Sequence, residues 1–129
     1  MCRESLQKNE EGGFKYLLAK QKEFCVISFV GPINNKAKEE LGKCLDEIKN
    51  TESCLFILNF RDVTGIDKAI HRQLVQIQHC IRSKESGGHL RICGINPKWK
   101  HDLTSVGTLR PDEMVDNVRV ALAELNKLK

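Results

Sequence analysis

The segment from residue 53 to residue 85 constrains the fold more than any other part of this sequence. It begins with an unbroken apolar run, Leu55–Leu58 followed by Phe60. A mostly polar stretch follows at positions 61–65. A second apolar series follows Asp67, at intervals of three and four residues: Ile70, Leu74, Ile77 and Ile81. The run predicts a buried strand and the series predicts an amphipathic helix, with a short loop between them and Asp67 as the helix cap.

The corner between this strand and this helix is the first candidate for a site. The first backbone N–H groups of a helix have no partner within the helix, so α/β domains often bind partners at such a place. Next to Asp67 the sequence has Lys68 and Ala69, neither of which carries a hydroxyl. Lys68 would lie at the positive end of the helix dipole, where a cation is disfavoured. Its side chain therefore either points into solvent or forms a fixed cationic docking patch for an acidic partner.

The composition is typical of one globular domain. A chain of 129 residues with 40% hydrophobic and 29% charged residues is large enough for a single core. The net charge of +4 comes from lysines scattered among glutamates, so we expect no nucleic-acid partner. No apolar stretch is long enough to cross a bilayer, and residues 1–13 form a polar N-terminal segment. We therefore expect no signal peptide, no membrane insertion, a cytoplasmic location, and a domain over residues 14–129.

Six cysteines and four histidines raise the question of a disulfide framework, a metal site or catalysis. The cysteines lack the paired spacing of metal ligands and most lie in apolar segments, which favours reduced thiols in the core. The histidines lie on different predicted elements with no accompanying carboxylate motif, which favours surface positions. No nucleophile, base and oxyanion-binding group can be assembled from the sequence. We therefore expect no catalytic residue, no metal and no cofactor.

Before the central segment, two strand-like runs predict a hairpin: Phe14–Ala19 and Phe24–Val30. The second run is apolar at nearly every position, which is typical of a strand in the middle of a sheet. A Gly-Pro pair at positions 31 and 32 is expected to end it. Asn34 or Asn35 can then cap a helix with a regular apolar stripe.

After the central segment, whose helix should end near Ser86, the pattern predicts a further strand over Leu90–Ile95 and a short helix that begins at Asn96. A short edge strand at Met114-Val115 and a last helix, capped by Asp116 or Asn117, complete the chain. The last helix is expected to bury five residues: Val118, Ala121, Leu122, Leu125 and Leu128.

The order of these elements predicts an α/β fold, a single layered domain with one mixed, mostly parallel sheet packed by helices. Strands joined by a single helix should be parallel neighbours with right-handed crossovers, and the hairpin adds an antiparallel pair. We expect Phe24–Val30 and Leu55–Asn59 to be the central, parallel, buried strands.

Several short motifs occur in this order, over Phe24–Leu125: Val30-Gly31, Leu58–Thr64, Ile66-Asp67, Gly87–Leu90, Gly107 and Asp116–Val118. Together they resemble the STAS domain of bacterial anti-sigma factor antagonists, stressosome proteins and sulfate transporter tails. The resemblance implies a non-enzymatic module that binds other proteins in signal transduction and transcription regulation. Its implied partner is a kinase-like anti-sigma factor, a stressosome component or a transporter ATPase, and a second copy of the chain is a further candidate.

The corner departs from the pattern of this family. There, an aspartate precedes two small hydroxylated residues and a glycine, and the second hydroxyl is phosphorylated by a partner kinase. This sequence keeps the aspartate as Asp67 but has Ala69 at the phosphoacceptor position. The resemblance therefore implies that the usual phosphoswitch is lost. Phosphate, if present, is expected at Thr64, Ser83 or Ser86, of which Thr64 is the weak candidate near the corner.

The corner and the loop after the second strand should lie side by side, because both leave the carboxyl ends of adjacent parallel strands. The expected partner-binding residues belong to these two segments: Pro32, Asn34, Asn35, Thr64, Asp67, Lys68, Ala69, Ile70 and His71. Two alternatives remain open, an accessory subunit of an ABC-type lipid transporter and a nucleotide-binding STAS domain. Against the second, one lysine and one helix start make a poor phosphate site without a glycine-rich loop.

Overall fold

The structure is a computed structural model that describes residues 13–21, 23–84 and 87–128. Its five strands form one sheet in the order of the chain: β1 (Lys15–Gln21), β2 (Phe24–Ile33), β3 (Leu55–Ile66), β4 (His89–Cys93) and β5 (Met114–Val115). The four α-helices are α1 (Lys38–Asn50), α2 (His71–Arg82), α3 (Pro97–Ser105) and α4 (Val118–Asn126). The chain is therefore an α/β domain with a mixed sheet, as the sequence predicts.

The two central strands are β2 and β3, which pair with each other in parallel over their whole buried length. β1 pairs antiparallel with β2, and β4 and β5 continue the sheet in parallel on the other side. Along β3, Phe56 and Leu58 face the core under α1 and α2, whereas Leu55 and Ile57 face the core under α4. The prediction of two central, parallel, buried strands is confirmed. Strands covered on both faces carry apolar residues at successive positions, as these two do.

Both central strands are longer than their apolar runs predict. β2 passes through the Gly-Pro pair to Ile33, and β3 passes through the polar positions 61–65, expected as a loop, to Ile66. Pairing continues between Gly31 and Val63, with register shifts on either side. Gly31 has φ +94°, a conformation that suits glycine and bends the strand. Arg61, Asp62 and Thr64 are exposed on this extension whereas Val63 and Ile33 remain in the core, so the strand continues although most of its residues here are polar.

Gly31 also holds the start of β1 close to β2. A Cβ atom on Gly31 would lie 2.7 Å from the carbonyl oxygen of Gly13, so only glycine permits this approach. The chain therefore enters β1 beside the end of β2. At the other end of the chain, α4 begins next to Gly94, just after β4, in a groove that Asn117 and Gly94 line together. Its Glu124 accepts a hydrogen bond from Arg91 within β4 (2.7 Å), so α4 runs back along the sheet.

Three predicted caps are present in the structure, and a fourth lies at Asn96, the predicted start of the short helix. The side chains of Asn34, Asp67, Asn96 and Asn117 each accept a hydrogen bond from a backbone N–H two or three residues later. Short polar side chains at these positions satisfy N–H groups that a helix or 3-10 turn leaves free at its start. The alternatives left open by the sequence are thus decided in favour of Asn34 and of Asn117, while Asp116 is exposed and makes no cap.

Some predicted boundaries and burial assignments are wrong. β1 is shifted to Lys15–Gln21, and β4 ends at Cys93 because Gly94 has φ +75° and turns the chain. α2 ends at Arg82, and the expected end at Ser86 lies outside the described residues. Leu128 is 44% exposed, because α4 already ends at Asn126. None of the helices among the described residues has the length and apolar character to span a membrane.

The cysteines of the core give a prediction for chemical labelling. Cys25, Cys44 and Cys93 are buried free thiols, whereas Cys54 and Cys80 are half-buried. Burial raises the pKa of Cys44 to about 12 and the pKa of Cys25 and Cys93 to about 11. We expect iodoacetamide at about pH 8 to modify Cys54 and Cys80 before these three, because the thiolate is the reacting form. Mass spectrometry of native and urea-unfolded protein checks the order, and equal labelling of all five in the native state would contradict it.

The same shifts make stability depend on pH in the alkaline range. An unfolded thiol has a pKa of about 8.5, below the pKa of each buried thiol. The folded state therefore retains the full contribution of these neutral thiols below about pH 8.5 and loses it as the pH rises toward their folded pKa values. Urea titrations at increasing pH should show this loss.

Candidate functional site

The corner after β3 and the loop after β2 lie side by side at the carboxyl ends of the two strands. We use "the corner" for residues 64–71, from the last residues of β3 to the first residue of α2. We use "the adjacent loop" for residues 32–35, which include the last two residues of β2. Ile33 pairs with Ile66, and the backbone N–H of Asp67 donates to the carbonyl oxygen of Ile33 over 2.9 Å. The predicted proximity of the two segments is confirmed. They form one rim of the sheet.

Asp67 satisfies the start of the helix from within the chain. Its Oδ1 accepts a hydrogen bond from the backbone N–H of Ala69 (3.1 Å), and its carbonyl oxygen accepts one from Ile70 (3.0 Å). The corner opens with a 3-10 turn over Lys68–Ile70, and α2 follows from His71. The prediction that Asp67 caps this helix start is therefore confirmed, and the cap occupies the N–H group of Ala69. A carboxylate that already caps the turn leaves an anionic ligand few donors here.

The exposed residues of this rim are those that a partner can reach. Thr64, Asp67, Lys68, Ala69 and Asn35 are exposed, and a second group is half-buried: Pro32, Asn34 and His71. Among the described residues no carboxylate lies within salt-bridge distance of the Lys68 ammonium. The corner therefore presents a cation without an internal counter-ion beside a methyl group.

Ile70 differs from the other predicted contact residues. Its side chain is fully buried in the core beneath the corner. It anchors the 3-10 turn against the sheet and cannot touch a docked protein through its side chain. The sequence pattern already assigns Ile70 to the apolar face of the helix, and the structure places it there.

A groove of about 370 Å³ lies next to the corner, between the start of α2 and the helix α3. Lys68 and His71 line one side of it. The other side combines apolar and polar residues: Trp99, Leu103 and Val106 with Asp102 and Ser105. Val106 is 67% exposed, more than the other large apolar side chains of the described residues. The sequence pattern does not predict this groove. The one sequence feature that indicates it is the single tryptophan, Trp99, on a short predicted helix that ends before Val106 and Gly107.

His71 is held in place by a residue from the far side of this groove. Its Nδ1 lies 3.1 Å from Oγ1 of Thr108, a buried threonine. The carbonyl oxygen of Thr108 in turn accepts a hydrogen bond from Nε2 of buried Gln78 (2.8 Å). These bonds join α2 to the segment after α3, so both walls of the groove keep their spacing.

A half-buried ion pair completes this connection. Arg82 donates to Oε1 of Gln78 over 3.0 Å and to Glu113 through two bonds, one from Nε to Oε2 over 3.1 Å. A bidentate pair between arginine and a carboxylate fixes geometry as well as adding energy. No spacing in the sequence indicates that these residues, 31 positions apart, should meet.

Other combinations of reactive side chains are sparse. Oγ of Ser83 lies 3.3 Å from Nε2 of His79, but this hydroxyl donates to the carbonyl oxygen of His79 (2.7 Å). Among the described residues no further side chain bonds to the His79 imidazole. Within the described ranges, His, Cys, Asp and Glu side chains nowhere form a group of three or more that could hold a metal ion. The distinctive feature of the rim is therefore its exposed lysine and methyl group beside a groove.

Solved structures with the same fold come from proteins of regulation and transport. An anti-sigma factor antagonist from Mycobacterium paratuberculosis superposes with a TM-score of 0.75 at 11% identity, covering 90% of this chain and 97% of that one. The phosphorylated form of the Bacillus cell fate determinant SpoIIAA gives 0.64 at 14% identity, covering 88% and 99%. A sulfate transporter family protein from Wolinella succinogenes gives 0.70 at 24% identity, covering 85% and 90%. At these identities, the likeness shows the fold.

The family is shown by the sequence itself. Comparison with curated proteins finds no significant match. The sequence model of the STAS domain, however, matches residues 15–121, which is most of the chain. The match begins in β1 and ends within α4, so it includes both the corner and the adjacent loop. The chain belongs to the STAS domain family.

Proposed function

We propose that this STAS domain is a non-enzymatic regulatory module that docks a partner protein at the corner and the adjacent loop, in the manner of an anti-sigma factor antagonist. One observation carries the proposal. Lys68 and Ala69 are exposed at the capped start of α2, beside a groove whose far wall combines Trp99 and Val106 with Asp102. Exposed apolar area with polar residues around it often marks a surface where another protein binds.

The chemistry of the rim indicates what such a partner offers. An acidic side chain would pair with Lys68, and an apolar side chain would fill the groove between Trp99 and His71. Partly desolvated anchors of this kind dominate binding energy at protein interfaces. The surrounding polar residues, such as Asn35 and Thr64, would form the solvated edge.

Binding at this surface is not switched at the usual position. Ala69 occupies the phosphoacceptor position and carries no oxygen, whereas SpoIIAA has been solved in a phosphorylated form. Ser83 is a weaker acceptor, since its hydroxyl donates to a backbone carbonyl. Thr64 is exposed and remains the candidate for phosphorylation on this rim. The module would then bind constitutively unless Thr64 is modified.

A charge placed at the corner tests the proposal. Replacing Ala69 by Glu should weaken partner binding about tenfold or more, which corresponds to about 1.4 kcal/mol. Lys68→Glu should weaken it similarly if the partner is acidic. The wild-type protein first retrieves the partner for identification by mass spectrometry, and calorimetry with the purified partner then measures affinity. The thermal midpoint of each variant shows whether the domain remains folded.

Matched controls separate position from charge. Ala123→Glu and Lys127→Glu make the same changes at exposed positions at the far end of the domain, so both should bind like the wild type. Ala69→Ser adds a hydroxyl without charge and should also bind normally. Unchanged affinity for both corner variants would place the interface elsewhere, for instance on the exposed face of α4. Retrieval of a transporter ATPase in place of a regulator would favour the accessory-subunit alternative.

A further inference from the structure

β1 forms one edge of the sheet over seven residues, Lys15–Gln21. Within the described part of the chain it pairs only with β2, so the backbone N–H and C=O groups on its outer side meet no other strand. An edge of this length is a template for pairing with another strand. β1 contains no proline, and its two lysines lie near its ends.

The face of the sheet beside this edge is also uncovered. α4 packs mainly on β3, β4 and β5, on the other side of β2 from this edge. Leu17 is 58% exposed on this face, and its neighbour on the same face, Ala19, is exposed as well. Ala19 faces half-buried Val26 of β2 across the strands. An apolar strip therefore runs along the open edge, where an added strand would cover it.

We propose that β1 is a docking surface for a second copy of this chain, with the two β1 strands antiparallel in one continuous sheet. A two-fold axis perpendicular to the sheet keeps residues of one face on that face, as pairing requires. With the axis at Leu18, all seven residues find partners. Leu17 then faces Ala19 of the second copy, and Tyr16 faces Lys20 of the second copy.

Charge complementarity supports this register. The hydroxyl of Tyr16 donates to Oε1 of Glu47 on α1, next to the edge. Lys20 and Glu47 are both exposed, and neither forms a salt bridge within the described residues. Facing residues in antiparallel strands have Cβ atoms about 5 Å apart. Lys20 of the second copy therefore comes within reach of the Glu47 carboxylate, and symmetry makes the contact twice.

Sedimentation equilibrium on the wild-type protein, from about 1 to about 100 µM, tests this dimer. We expect a reversible monomer–dimer equilibrium that Leu17→Asp weakens at least tenfold, because it places a charge against the facing strand. Val75→Asp makes a similar change at another exposed apolar residue, on α2, and should leave the equilibrium unchanged. Circular dichroism verifies that both variants are folded.

A charge exchange tests the register itself. Lys20→Glu and Glu47→Lys should each weaken dimerisation, and the double variant should restore it, since the pair is rebuilt with reversed charges. Alternate β1 amides should also gain hydrogen-exchange protection as concentration rises. A monomer over the whole concentration range would overturn the proposal. So would a dimer that Leu17→Asp leaves intact, a double variant that fails to recover, or β1 protection independent of concentration.

Discussion

Replacing Phe29 by Ala is expected to lower the free energy of unfolding by about 3–5 kcal/mol. Phe29 is fully buried at the centre of β2. Its ring meets the ring of Phe60 edge-on with 5.2 Å between centroids and lies 5.8 Å from the ring of Phe14. Removing it leaves a cavity between three strands and also loses the aromatic contacts. A urea titration followed by circular dichroism measures the change.

Phe29→Leu is the matched control for this prediction. It keeps most of the buried apolar volume and should cost less than about 2 kcal/mol. Val106→Ala shortens a mostly exposed side chain after α3 and should change stability little. A loss below about 1 kcal/mol for Phe29→Ala would mean that the aromatic cluster is not the centre of the core.

Gly94→Ala is expected to cost about 2–5 kcal/mol, the second largest effect. Gly94 has φ +75°, which disfavours any residue with a Cβ atom. An added Cβ would also lie 2.7 Å from the backbone nitrogen of Arg61 and 2.8 Å from Oδ1 of Asn59. Both groups belong to β3 and are joined by a hydrogen bond, so they cannot move apart cheaply. Urea unfolding again provides the measurement.

Gly42→Ala is the control for this substitution. Gly42 lies within α1, and a Cβ atom there would meet nothing within 4 Å. Alanine should therefore stabilise the domain by about 0.5–1 kcal/mol through its higher helix propensity. If Gly94→Ala were as harmless as Gly42→Ala, the close contact between the end of β4 and the middle of β3 would not exist in solution.

The sequence predicts most of the scaffold because burial and capping leave local patterns. Continuous apolar runs identify the central strands, and intervals of three and four residues identify α1, α2 and α4. Asp67 is recognisable as a cap because a short acceptor precedes the first periodic residue, Ile70. These features depend on residues that are close together in the sequence, so they can be recognised from the sequence alone.

The ends of β2 and β3 could not be predicted in the same way. There the strands continue to pair, but Val63 alone is buried among residues 61–65, so this stretch is mostly polar and resembles a loop. The groove beside the corner depends on how α3 returns toward α2, and the ion pair of Arg82 with Glu113 joins residues 31 positions apart. No local pattern encodes such meetings. The half of the candidate site that lies on α3 therefore becomes visible only in the folded chain.

The close approach of Gly13 to Gly31 has a practical consequence for measuring binding. Gly31 pairs with Val63 shortly before the corner, so whatever is attached ahead of Gly13 starts at the rim that presents Lys68. α4 runs back from this rim, and its last residues lie toward the other end of the sheet. We therefore expect a surface linker placed after α4 to leave the corner open to solvent.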